Sequence, residues 1–108
     1  MSVHELLDVG KDNARTGKEL ATVLHCTMRD ITAAVERERR EGQPICAATG
    51  ENPGYYLAES AEELQAYCNS LHRRAAEMYK TRAALLNVLS QLLEKRIAEN
   101  GENKNSKQ

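Results

Sequence analysis

The chain has 108 residues, a formal net charge of −1 at pH 7, and no Phe or Trp. This length allows one small domain, whose core must come from Leu, Ile, Val, Ala, Met and Tyr. Because the net charge is near zero, any DNA-binding face must be a local basic patch. No apolar run approaches the ~18 residues that indicate a membrane span, and no signal sequence is recognisable, so we expect no membrane partner.

The cysteines favour a cytoplasmic protein. Cys26, Cys46 and Cys68 are odd in number, widely spaced and without a Cys-x-x-Cys motif, which is typical of reduced thiols. His25 adjoins Cys26, but no further ligands follow at zinc spacing, and no glycine-rich phosphate loop is present. We therefore expect no catalytic residues, metal, cofactor or small-molecule ligand.

A short amphipathic helix is predicted from Val3 to Gly10, followed by a polar loop over Lys11–Arg15. The loop carries two positive charges. This helix would be the first of a three-helix core.

Two capped helices follow, joined by a turn of three residues. Thr16 and Glu19 have capping-box spacing, and Thr27 and Asp30 repeat it with Asp in place of Glu. The second helix should end near Leu24. A helix, a tight turn and a longer helix are the outline of a helix-turn-helix.

Helical spacing predicts which side chains of these two helices face the core. They are Leu20, Ala21, Val23 and Leu24 in the second helix and Ile31, Ala34 and Val35 in the third. Glu38 falls on the same side of the third helix. The carboxylate is either paired there or lies where the helix has left the core, and we expect the latter.

A β-hairpin is predicted after the third helix. Gly42 is a natural C′ residue, and Pro44 prevents the helix from resuming. The strands would be Pro44–Thr49 and Gly54–Leu57. A hairpin appended to a helix-turn-helix makes a wing, and Ile45 and the second strand would close the edge of the core.

The order of these features resembles the winged helix-turn-helix of biotin-operon-repressor-type proteins. The resemblance is carried by the G-x-E-L-A start, the threonine before the third helix, the Gly-x-Pro-Ile exit and the closing strand, here Gly17–Ala21, Thr27, Gly42–Ile45 and Gly54–Leu57. The chain also resembles small bacterial and prophage proteins that join such a domain to one C-terminal helix. The resemblance implies a mainly α fold: a winged helix-turn-helix (three helices plus a two-stranded β-hairpin), followed by one long C-terminal helix.

The C-terminal part is predicted to be a single helix from Ser60 to about Ile97, with Ser60 and Glu63 as a third capping box. Its apolar residues alternate four and three apart, which is the seam of a coiled coil. The most apolar part is assigned to homodimerisation through Leu85, Leu89, Leu92 and Leu93. The alternative is a helix that folds back on its own domain, as the part around Tyr67, Leu71 and Ala75 is expected to do. The domain limits are then 1–58, 60–98 and a disordered tail over 99–108.

The resemblance places the third helix in the major groove of double-stranded DNA, where outward residues near its N-terminus contact base edges. Those residues are Thr27, Met28, Arg29, Thr32 and Ala33. Further contacts, chiefly to phosphate, are assigned to Lys18, Arg37, Arg40 and Asn52, and Lys11 and Arg15 could add to them. Glu36 on the helix and Glu51 at the wing tip count against DNA, and a purely structural wing is the favoured reading.

Two functions remain open. The first is sequence-specific DNA binding as a bacterial or phage regulator of transcription, or as a phage replication or recombination accessory. The second is a protein-interaction module in which the winged fold docks a partner and the long helix assembles the complex.

Overall fold

The computed structural model describes the backbone of residues 2–106 and the side chains of residues 2–101. Three α-helices and one hairpin make up most of it: α1 (Gly17–Leu24), α2 (Met28–Arg40), β1 (Ile45–Ala48), β2 (Gly54–Leu57) and α3 (Ala61–Ser106). Two single 3-10 turns, His4–Leu6 and Lys11–Asn13, precede α1. The expectation of a mainly helical protein with a two-stranded hairpin and a long C-terminal helix is confirmed. The chain divides into two compact units, Met1–Asn69 and Ser70–Gln108.

The turn between α1 and α2 is fixed by hydrogen bonds at both helix ends. His25 has a left-handed backbone (φ 54°, ψ 48°), and the Cys26 amide donates to the Ala21 carbonyl at 3.0 Å. The His25 amide also donates to the Thr22 carbonyl at 3.4 Å, so α1 ends in a Schellman motif with His at the position usually held by glycine.

The cap predicted for α2 is a complete capping box, and the cap predicted for α1 is formed by the threonine hydroxyl. At the start of α2, Thr27 accepts from the Asp30 amide and the Asp30 carboxylate accepts from the Thr27 amide, which completes the capping box. This bond from the Thr27 backbone lowers the pKa of Asp30. At the start of α1, the Thr16 hydroxyl accepts from the Glu19 amide at 3.0 Å. These bonds satisfy helix N-terminal amides that have no partner within the helix.

The prediction of an α-helix over residues 3–10 is wrong. Only His4–Leu6 forms a turn of 3-10 helix, and the chain is extended at Leu7. The following residues pair with the end of β2: the Leu57 amide donates to the Asp8 carbonyl and the Gly10 amide donates to the Leu57 carbonyl, each at 2.9 Å. The backbone groups that would continue a helix are therefore used in tertiary pairing.

The hairpin is antiparallel, with Ile45 opposite Leu57 and Ala48 opposite Gly54. A third segment pairs with β2 from its other side, since Arg15 and Tyr55 exchange two backbone hydrogen bonds of 2.9 and 2.7 Å. A Cβ atom at Gly54 would lie 2.3 Å from the Arg15 carbonyl oxygen, and Gly54 has φ +130°. This close approach requires glycine.

One apolar core joins the N-terminal segment, α1, α2 and β1. Its buried residues are Val3, Leu7, Leu20, Ala21, Ile31, Ala34, Val35 and Ile45, with Leu24, Tyr55 and Leu57 packed at its edge. Val23, predicted to face inward, is 53% exposed. A smaller cluster of Cys46, Tyr56 and Tyr67 lies between the hairpin and the first turns of α3. Burial raises the pKa of both the Cys46 thiol and the Tyr56 hydroxyl, so both groups are neutral at pH 7.

The expectation that Glu38 lies outside the core is also wrong. Glu38 is 1% exposed, and its carboxylate accepts from the backbone amides of Val3 and His4 at 2.8 Å each. The His4 Nδ1 also contacts this carboxylate, and Arg37 lies 3.7 Å away. Glu38 thus caps the first 3-10 turn from a helix more than thirty residues further along the chain.

α3 begins at Ala61, as predicted, with the Glu63 amide donating to the Ser60 hydroxyl oxygen at 3.1 Å. It continues to Ser106, whereas the polar composition predicts disorder from residue 99. Positions 107–108 of the predicted tail lie outside the described residues. Of the three residues expected to pack on the domain, Tyr67 is buried, while Leu71 and Ala75 are exposed.

Candidate nucleic-acid interface

The N-terminal half of α2 presents one exposed face. All five residues predicted to contact base edges lie on it or at its start, and all are exposed: Thr27, Met28, Arg29, Thr32 and Ala33. The opposite face carries Ile31 and Val35, each 1% exposed, into the core. The burial of one face therefore fixes which residues of α2 are available to a partner.

The basic residues considered for DNA contact differ in their availability. The side chains of Lys18, Arg29 and Arg40 are exposed, and none of them forms an ion pair with a described residue. Arg37 is engaged, since its guanidinium lies 3.7 Å from Glu38 and 3.8 Å from Glu41. Arg15 lies 3.6 Å from Asp8. Arg29 is thus the available cation nearest the start of α2.

Met28 and Thr32 lie on the same exposed face of α2 as Arg29. Thr32 donates its hydroxyl proton to the Met28 carbonyl at 3.2 Å, which leaves its methyl group and oxygen lone pairs free. A Cβ atom on Gly17 would lie 3.0 Å from the Met28 Cε and 3.7 Å from the Tyr55 ring. Glycine at position 17 therefore lets α1 begin directly against the start of α2 and the hairpin.

The hairpin tip is held by Asn52 rather than left free. The Asn52 Nδ2 donates to the carbonyls of Lys11 and Asp12, at 3.1 and 2.8 Å. Both amide protons are used in this way, so the side chain has no donor left for a phosphate group. Together with the exposed Glu51 beside it, this contact favours a structural role for the hairpin tip.

The structural role of Arg39 was not predicted from the sequence. Its Nε donates to the Ile45 carbonyl at 2.8 Å, one terminal nitrogen donates to the Tyr67 hydroxyl at 2.9 Å, and the guanidinium carbon lies 5.1 Å from the centroid of that ring. Arg39 therefore joins α2 to β1 and to the start of α3. Its position four residues after the buried Val35 was the available signal, because i and i+4 share a helix face.

The Glu38 carboxyl group stays ionised inside the core at neutral pH. Burial alone raises the pKa of this carboxyl group, but the hydrogen bonds from the amides of His4 and Val3 and the contact with the His4 ring outweigh burial. The net result is a pKa below the ordinary value of 4.5. The N-terminal segment is thus attached by an ionised carboxylate at neutral pH.

The residues assigned to oligomerisation are all on the surface of the C-terminal unit. Leu85 and Leu92 are 63% and 59% exposed, and Leu89 and Leu93 are exposed as well. Met78, Leu85, Leu86 and Leu89 lie together on one open apolar face of the helix.

Neither a metal site nor a membrane span is found in the described part of the chain. No group of three or more His, Cys, Asp or Glu residues there could hold a metal ion. α3 is long, but no stretch of it within residues 2–106 is apolar enough to cross a membrane. No protein-family model, curated protein or solved structure matches the chain.

Proposed function

We propose that α1, the turn, α2 and the hairpin form a winged helix-turn-helix, and that this protein is a sequence-specific binder of double-stranded DNA. The observation that carries the proposal is the exposed face at the start of α2, where Arg29 has no ion-pair partner among the described residues. A recognition helix uses residues at this position to contact base edges in the major groove.

Five exposed residues have specific chemical uses in this proposal. Arg29 would donate two hydrogen bonds to a guanine, and Thr32 or Ala33 would contact a thymine methyl group. Lys18 and Arg40 would contact phosphate groups, which fix the position of the protein without reading sequence. Arg37 and Asn52 are committed to contacts within the protein, so they are weaker candidates than the sequence suggested.

Self-association through α3 completes the proposal. The exposed Leu85, Leu89, Leu92 and Leu93 form a contiguous apolar surface of the kind that marks an interaction site. A pair of chains would present two recognition helices to one DNA site, as dimeric helix-turn-helix proteins do. The biological role would then be regulation of transcription, or an accessory role in phage replication or recombination.

The test compares two substitutions that should differ in kind. Losing a bidentate base contact in Arg29→Ala should cost ~1–3 kcal/mol, about 5- to 150-fold in Kd, and relax the preference at one base pair. Lys18→Ala should weaken binding to all sequences alike and reduce the salt dependence, because a phosphate contact releases counterions. Fluorescence anisotropy on the upstream DNA of the gene and on a scrambled duplex, at two salt concentrations, measures both effects.

Arg73→Ala is the matched control, since Arg73 is an exposed arginine in the other unit. It should leave both affinity and preference unchanged. If the wild type prefers no duplex, and neither Arg29→Ala nor Lys18→Ala changes binding, the DNA-binding assignment is wrong. The second candidate, a protein-docking surface on the winged fold, would then account for the neutral wing and the near-zero net charge.

A further inference from the structure

The C-terminal unit carries a continuous apolar face with no covering side chains among the described residues. Met78, Leu85, Leu89 and Leu92 are between 48% and 73% exposed, and they recur at spacings of seven, four and three residues. Leu86, Val88 and Leu93 flank them and are exposed too. This spacing repeats on one side of a helix and fits another helix laid along it.

Both arginines of this face occupy the same type of heptad position. With Arg82 as an a position of the heptad, residues 75–99 hold Ala75, Arg82, Leu89 and Arg96 at a positions and Met78, Leu85, Leu92 and Glu99 at d positions. Both arginines are exposed, and neither forms an ion pair with a described residue. Whether two such helices pair parallel or antiparallel therefore decides which residue each arginine faces.

A parallel pair in register would place like charges face to face. In that arrangement a positions meet a positions, so Arg82 would meet the second copy's Arg82 and Arg96 would meet the second copy's Arg96. Each of these two contacts brings two guanidinium groups together in an apolar seam, where charges without opposite partners are strongly unfavourable.

An antiparallel pair avoids both arginine–arginine contacts, because a positions then meet d positions. Arg82 would face Leu92 or Glu99 of the second copy, depending on register, and Arg96 would face Met78 or Leu85. An arginine can lay its aliphatic stem on such an apolar residue while its charged end reaches water. Leu89 stays opposite leucine in either register, so the apolar centre is preserved.

From this distribution we infer that two copies of this chain pair antiparallel through residues 75–99 of α3. The inference rests on the self-association in the proposed function and is independent of its DNA-binding part. The occupant of the apolar face is a second copy, because in the register that sets Arg82 opposite Glu99 each chain offers the other both leucines and a charge of opposite sign.

Distances between spin labels on the two copies test the orientation. Labels are placed at Arg73→Cys or Asn87→Cys, which are exposed f positions, in a chain with Cys26→Ser and Cys68→Ser; Cys46 is fully buried and stays. With a helical rise of 1.5 Å per residue, antiparallel pairing puts the two position-73 labels ~40–50 Å apart along the axis and the two position-87 labels within ~10 Å. A parallel pair gives the same short distance at both positions.

Sedimentation of the same samples should give the mass of two chains. Leu89→Glu is the control, and it should give the mass of one chain and remove the dipolar coupling between labels. Equal short distances at both positions would overturn the antiparallel orientation while leaving self-association in place. A wild-type mass of one or four chains, or unchanged distances in Leu89→Glu, would overturn the inference, whatever the DNA-binding assay shows.

Discussion

The two units of the chain use their apolar residues in opposite ways. In the N-terminal unit, Val3, Leu20 and Ile31 are at most 1% exposed and pack against one another. In the C-terminal unit, none of the described residues from 70 to 101 is buried, although the apolar face includes five leucines. The first unit therefore has its own core, whereas no described side chain from residue 70 onward is buried in one.

This difference indicates where each unit obtains its stability. Burial of apolar surface is the main favourable contribution to folding, and the N-terminal unit obtains it from its own side chains. A long helix exposed all round relies on helix propensity and on local pairs such as Glu77 and Lys80, 3.0 Å apart. We expect substitutions in the two units to affect different measurements.

The largest expected effect is that of Ile31→Ala. Removing this fully buried side chain should lower the free energy of unfolding of the N-terminal unit by about 2–5 kcal/mol, because the cavity is only partly filled by relaxation. Leu89→Ala is the matched control, and at concentrations where the chain sediments alone it should change this free energy by less than about 0.5 kcal/mol.

Denaturant unfolding followed by tyrosine fluorescence measures both variants, since the chain has four Tyr and no Trp. Equal losses of stability in the two variants would contradict the separation of the units. They would mean that Leu89 is part of the same cooperative core.

A smaller effect is expected from Glu38→Gln, which removes the charge that holds the N-terminal segment. The loss should be about 1–3 kcal/mol at neutral pH, the usual cost of impairing buried hydrogen bonds. Glu36→Gln, on the exposed side of the same helix, should change stability by less than about 0.5 kcal/mol.

The pH dependence of the wild type gives the sign of this contribution. Since the pKa of Glu38 is lowered by folding, the stabilisation is complete above the ordinary value of 4.5 and is lost as the pH falls through the folded pKa. Glu38→Gln should therefore flatten the acid limb of the stability curve. If the acid limb is equally steep in the variant, other carboxylates cause the loss of stability at low pH.

The smallest effect, and the only gain, is expected from His25→Gly. The left-handed backbone at His25 costs an L-residue about 1 kcal/mol that glycine avoids, so the variant should be more stable by up to that amount. His25→Ala keeps the Cβ atom and should show no gain. A loss of stability in the glycine variant would show that the imidazole makes a contact of its own. Thermal unfolding by circular dichroism is sufficient for this comparison.

The features predicted correctly from the sequence are those with local causes. The threonine caps, Gly42 and Pro44 act within one turn of chain, and the limits of α1, α2 and the hairpin follow from them. The exposed face of α2 was predictable for the same reason, because helical periodicity separates it from Ile31 and Val35. Asn52 and Arg37 were predictable as exposed but not as engaged, since their partners could be identified only in the folded chain.

What the sequence by itself determined is the set of helices and strands, the buried faces of α1 and α2, and the alternation of leucine and arginine along α3. Only the tertiary structure decided the fate of groups whose partners are distant. Residues 8–10 could have continued a helix, but Leu57 offered them backbone hydrogen bonds. Glu38 could have been solvated, but two amides 35 and 34 residues away made its burial favourable. Periodicity identifies a buried position, whereas the tertiary fold decides which partner stabilises a charge there.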